Sequence, residues 1–173
     1  RNLARMADAV ARHPGLKLRP HMKTAKSLAV AALAAPNHGP ITVSTIAKAR
    51  YFAGGGYRDQ IYAVGITPQK LDAIAAINAQ GNDVKIITDD LEVASAIAAH
   101  PGILPTLIEV DCGEGRGGIA PDSAVLAEIA QRLGARCAGI MTHAGHSYAE
   151  RNEDGMRKIA EAERAGAVLA AER

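Results

Sequence analysis

Residues 19 to 27 read Arg-Pro-His-Met-Lys-Thr-Ala-Lys-Ser, a run that gathers basic side chains where a strand should give way to a helix. If Lys17 to Lys23 is extended, alternation puts Arg19, His21 and Lys23 on one face and Leu18, Pro20 and Met22 on the other. Three basic side chains on one face are out of place in the core of a chain that is 48% hydrophobic. They suit a strand that delivers a reactive amine into a pocket. An amine attacks a carbonyl only when neutral, so its pKa must fall well below the usual value of about 10.4. Burial lowers it, and so does nearby positive charge. Arg19 and His21 are expected to supply that charge to a sheltered Lys23. Lys26 falls in the first turn of the next helix and is at most an anion-holding residue. The plain alternative for Lys23 is a surface lysine in a loop.

Further along, Glu109 and Asp111 share a strand face with Leu107. They are expected either to neutralise Arg116 or Lys23, or to form a structural salt bridge. Gly113, Gly115, Gly117 and Gly118 surround Arg116 and let the backbone approach a flat ring closely. His143 and His146 form His-x-x-His, a spacing that can bind metal, but Gly145 lies between them in a strand-end loop, and no metal ligand is expected in this chain. Thr45 opens a helix. N-capping explains it, with a cofactor contact as the alternative. Gly54-Gly-Gly56 reads as a helix C-cap and turn rather than a phosphate loop.

The elements that must position these residues alternate in type. Helices are expected over Asn2–His13, Ser27–Ala35, Thr45–Ala53, Pro68–Gln80, Asp89 or Asp90 to Ala99, Ser123–Leu133 and Arg151–Ala171, the last interrupted at Gly166. Strands are expected over Leu16–His21, Ile41–Ser44, Gln60–Val64, Val84–Thr88, Leu107–Val110 and Arg136–Met141. Six strands each followed by a helix predict an α/β fold with a parallel sheet. An open doubly wound sheet is possible. A partial (β/α)8 barrel is favoured because Lys23, Thr45, Thr88, Asp111 and His143 all fall at strand C-termini, the active end of such barrels. A full barrel takes about 250 residues, so six units in 173 residues predict one domain, 1–173, lacking two strands. The chain reads as a piece of a longer protein.

Composition removes several functions. With 20 basic and 18 acidic residues, a net charge of +2 and 3% aromatics, no basic run or stacking set suits nucleic acid. The longest apolar run, Leu28 to Ala35, is too short to span a bilayer. Cys112 and Cys137 form no paired motif and require no oxidising compartment, so cytoplasm is the expected location. Abundant Ala and the lack of Trp suit helices packed closely on a sheet.

Arg19-Pro-His-x-Lys23-Thr-x-Lys26 resembles the lysine motif of fold-type III pyridoxal 5'-phosphate enzymes, in the D-threonine aldolase / D-serine dehydratase-like branch related to the alanine racemase N-terminal domain. Three further stretches match in the same order: Ile41–Thr45 running into Gln60–Gly65, then Glu109–Gly118, then Gly139–Tyr148. The resemblance covers the chain from end to end. It implies a Schiff base with pyridoxal 5'-phosphate at Lys23, tuned by His21. It also implies Arg116 facing the pyridine nitrogen and His143 and Tyr148 lining the cofactor. The implied activity is that of a lyase on D-3-hydroxy amino acids. Racemase, a cofactor-holding homeostasis protein and a cofactor-free Schiff-base aldolase are the rivals. The full-length protein is expected to be a homodimer. Three departures stand out. The family's phosphate cup after the seventh strand has no counterpart, the β-rich domain that carries a divalent metal is absent, and Ala25 stands where many members have a second histidine of the motif.

Overall fold

The computed structural model describes residues 2–173. Five parallel strands form one sheet in the order β1 (Ile41–Val43), β2 (Asp59–Gly65), β3 (Asp83–Thr88), β4 (Thr106–Val110) and β5 (Cys137–Thr142). The helices are α1 (Asn2–Ala11), α2 (Leu28–Ala34), α3 (Ile46–Gly54), α4 (Leu71–Asn78), α5 (Leu91–Ala99), α6 (Ala124–Leu133) and α7 (Glu153–Ala171). Each strand pairs with the one before it. A doubly wound sheet would reverse its order once. Five strands added in one direction by right-handed crossovers instead put every crossover helix on one side. The sheet is therefore an arc of a barrel.

The outward side chains follow the two-residue period. Ile41, Val43, Tyr62, Val84, Ile86, Ile108 and Val110 are buried in one core with Ala49, Phe52, Ile74, Ile97, Leu126 and Ile129 of the helices. Each fully covered aliphatic or aromatic side chain contributes about 1.5–3 kcal/mol. Gln60, fully buried on this side, donates from Nε2 to the carbonyls of Ala49 (3.0 Å) and Tyr57 (2.8 Å), tying β2 to α3. The opposite, inward side carries Thr42, Ile61, Lys85, Ile87, Leu107, Glu109 and Met141. Ile87 and Leu107 are buried there, outside the outer core.

The expected strand over Leu16–His21 is not a strand. It shrinks to one parallel bridge, His21 with Thr42, held by Met22 N–H to the Thr42 carbonyl (2.8 Å) and Thr42 N–H to the Pro20 carbonyl (2.9 Å). The next rung fails because neither Pro20 nor Pro40 has an N–H to donate. Six expected strands thus become five and a bridge. Two helices also differ. Pro68–Lys70 is a separate 3-10 turn leading into α4, and α7 runs unbroken through Gly166. Gly166 is buried, with room there only for contact against Pro121. The Gly54–Gly56 turn is as expected: α3 ends at Gly54, and Gly56 turns at φ +91°.

Candidate active site at the strand C-termini

Inward-pointing residues at the C-terminal ends of the strands converge on one rim. Lys23 follows the His21 bridge, Asp89 follows β3, Glu109 and Asp111 end β4, and His143 follows β5. The imidazole of His21 is held below its ordinary value of 6.5, first by partial burial and then by the charges of Lys23, Lys48 and His143. Those three basic groups therefore share one electrostatic neighbourhood with His21. The carboxyl of Glu109 is pushed up by burial and by Asp89, against the opposing pull of Arg116 and His143. His143 acts on both His21 and Glu109, so the charges of the β5 end and the Lys23 segment influence one another.

The glycine loop after β4 is fastened to its own strand. Asp111 Oδ1 accepts from Gly113 N–H (2.9 Å) and Gly115 N–H (3.1 Å), which hold its carboxyl below the usual range. Asp89 Oδ2 accepts from Gly118 N–H at 2.8 Å. Gly118 has φ +95°, and a Cβ there would lie 2.6 Å from the Asp111 nitrogen, so only glycine fits. Asp111 is thus occupied with the loop backbone rather than with Arg116 or Lys23. Arg116 itself is exposed beside Glu109.

His143 sits 3.7 Å from Glu114 Oε2 through its Nδ1, and Glu114 Oε2 also accepts from Gly145 N–H (3.2 Å). Tyr148 meets His143 edge-on, with centroids 6.2 Å apart, but is 77% exposed. It stands at the rim rather than beneath it. His146 has its Nδ1 buried with no hydrogen-bond partner. Thr45 is the N-cap of α3, its hydroxyl accepting from Lys48 N–H at 3.2 Å.

Two expectations about Lys23 are corrected. Its side chain is exposed, unlike Ile87 and Leu107 on the inward side of the sheet. Arg19 does not lend it charge. The guanidinium donates to the carboxylate of Asp59 (3.0 Å) and to the carbonyls of Ile41 and Asp59 (both 3.2 Å). Asp59 also holds Lys85 at 3.3 Å, and Lys85 meets Asp83. Arg19 shares a face with Lys23, yet it lies at the other end of the sheet, locked in a network at the strand N-termini. Sequence reading missed Lys48, Asp89 and Glu114. Lys48 had a signal: it is a cation in the first turn of a helix, where the helix dipole opposes it.

A cluster of His21, Lys23, Lys48, Arg116 and His143 around two carboxylates can hold a phosphorylated or carboxylated carbonyl compound and offer it an amine. Residues 1–173 match the family described as alanine racemase, N-terminal domain. The chain is 39% identical over 181 residues to the D-threo-3-hydroxyaspartate dehydratase of Delftia sp. (strain HT23), covering 99% of this chain and 47% of that one. It is 32% identical over 142 residues to a 3-hydroxy-D-aspartate aldolase of Paracoccus denitrificans, covering 78% and 36%. Among solved structures, an alanine racemase-like protein of Idiomarina loihiensis superposes with a TM-score of 0.94 at 38% identity, over 99% of this chain and 47% of that one. The chain spans about half the length of the relatives it matches.

Proposed function

This chain belongs to the alanine racemase N-terminal domain family, and we propose that it carries the cofactor-anchoring lysine of a pyridoxal 5'-phosphate-dependent lyase acting on D-3-hydroxy amino acids. The observation that supports the reading is that Lys23 follows the His21 bridge to β1, its carbonyl held by Lys48, while the charges of Lys23, Lys48 and His143 all act on His21. That donor set fits the cofactor: an amine for its aldehyde, unneutralised cations for its anionic groups, and a glycine loop at the rim. When bound, pyridoxal phosphate supplies a conjugated sink for negative charge developing at the amino acid α-carbon.

The chain's own residues do the rest. Lys23 would hold the cofactor through its Nζ and would serve as acid or base at the substrate α-carbon. Arg116, which only donates, would be the residue that meets the ring nitrogen. His143 and Tyr148 would help hold the ring from the β5 side, with Glu114 beside His143. Thr45 contributes as the cap that places α3. His21, its imidazole held below the ordinary value mainly by partial burial, tunes the amine two residues along. We read residues 1–173 as an incomplete barrel domain of a cytoplasmic homodimer, with further polypeptide covering the exposed Lys23. A divalent metal that polarises the β-hydroxyl belongs to the same proposal. Among the described residues no group of three or more His, Cys, Asp or Glu could hold it, so no residue here is assigned to it. No helix among them is long and apolar enough to cross a membrane.

The test is a titration of the polypeptide carrying these residues with pyridoxal phosphate, followed by borohydride. A violet absorbance band, and a reduced adduct that peptide mass spectrometry places on Lys23, are expected in the wild type and in Lys26→Ala. An adduct on Lys26 or on scattered surface lysines would overturn the assignment. Incubation with D-threonine, D-serine and D-3-hydroxyaspartate plus a divalent metal then identifies the reaction. Aldehyde plus glycine marks an aldolase, and a keto acid plus ammonia marks a dehydratase.

A further inference from the structure

Lys48 breaks two local rules at once. With Thr45 as N-cap, Lys48 is the third residue of α3, where a capping box calls for Glu or Gln and where the helix dipole disfavours a cation. Departures of this kind concentrate where a residue serves something other than its own helix. What Lys48 serves is visible. Its Nζ donates to the backbone carbonyl of Lys23 at 3.1 Å, bridging 25 positions of sequence. Thr45 in turn accepts from the Lys48 N–H (3.2 Å), capping the helix turn from which Lys48 reaches to Lys23. Lys48 also stands close enough to His21 for its charge to act there, together with Lys23 and His143.

We propose that Lys48 is a positioning residue for Lys23: its ammonium clamps the Lys23 carbonyl, fixes the turn from which the reactive amine projects, and keeps a second positive charge beside that amine. The inference rests on the reading of Lys23 as the anchoring amine, and it is tested so that the two can fail separately. Wild type, Lys48→Met, Lys48→Arg and Lys48→Glu are treated with sub-saturating pyridoxal phosphate and borohydride, and the adduct at Lys23 is counted. Loss of one charge-assisted hydrogen bond should lower trapping in Lys48→Met by about tenfold or more, and Lys48→Arg should restore most of it. Lys48→Glu should raise the melting temperature, because it satisfies the helix, and still lose trapping. Wild-type trapping in Lys48→Met or Lys48→Glu would overturn the proposal.

If wild type forms no adduct at Lys23, the cofactor reading fails on its own. The clamp is then judged without cofactor, by the 13C shift of the Lys23 carbonyl and the NMR titration midpoint of His21. Lys48→Met should move the carbonyl shift and raise the midpoint toward the ordinary histidine value, while Lys48→Arg leaves both near wild type. An unmoved carbonyl and midpoint in Lys48→Met would overturn the clamp.

Discussion

Two residues at the rim carry opposite perturbations, and each has a pH signature. The carboxyl of Glu109 is raised from 4.5 by burial and by Asp89. Its protonated form is therefore favoured in the folded chain. Between 4.5 and its folded value the native state binds more protons than the unfolded one, so stability falls as pH rises through that window. His21 is lowered from 6.5. Here the unfolded state binds more protons, and stability is lost as pH falls below 6.5. Glu109→Gln removes only the first of these. Urea unfolding of wild type and Glu109→Gln across pH 4 to 8, roughly the span between ordinary carboxylate and histidine values, should show the variant gaining on wild type as pH rises and keeping the acid-side loss from His21. A variant that lost stability at neutral pH would mean that the Glu109 carboxylate is a structural partner of Arg116.

At the scale of elements, local chemistry sets most of the boundaries. Asp90 caps α5 by accepting from Val93 N–H at 2.8 Å, while its neighbour Asp89 reaches across to Gly118. Asp90→Ala should cost about 1 kcal/mol in urea unfolding and leave borohydride trapping at Lys23 unchanged; a loss of trapping would show that α5 helps form the rim. The cap was legible as Asp89 or Asp90. The division of labour between them was not, because it depends on a loop 29 positions away. Hydrophobic period and turn residues located β1 to β5 and all seven helices to within a few residues. They failed at Leu16–His21, where alternation was real but two prolines withheld the hydrogen bonds that make a strand. They also failed for Arg19. A two-residue period tells which face a side chain occupies and nothing about depth along the sheet, so Arg19 was grouped with Lys23 when its partner is Asp59. Motif and strand-end position single out Lys23, His143 and the glycine loop, and the structure puts His143 and the glycine loop at the C-terminal ends of β5 and β4. The contacts of Lys48 and Glu114 needed the tertiary fold.

For the whole molecule, the two sides of the sheet are unequal. Beside β1 the backbone is covered by the His21 bridge and blunted by Pro20 and Pro40. Beyond β5 no strand follows among the described residues. That strand is kinked near its start, where the register shifts beside Thr106 and Gly139 adopts φ +127°, and Ala138 and Gly139 are exposed. From Ile140 to Thr142 it runs in regular register with β4 and presents unpaired N–H and C=O groups on its far side. Open edges of this kind pair with other chains unless charge, proline or a covering element prevents it. Two copies meeting edge to edge about a twofold axis would bury the same strand from each. The 173-residue chain is therefore expected to associate as its concentration rises, seen as a growing sedimentation coefficient, and Ala138→Lys should weaken that association by placing a charge on the edge. A wild-type chain that stayed monomeric throughout the series would show that the β5 edge is protected in solution, and would count against the barrel arc being open on that side.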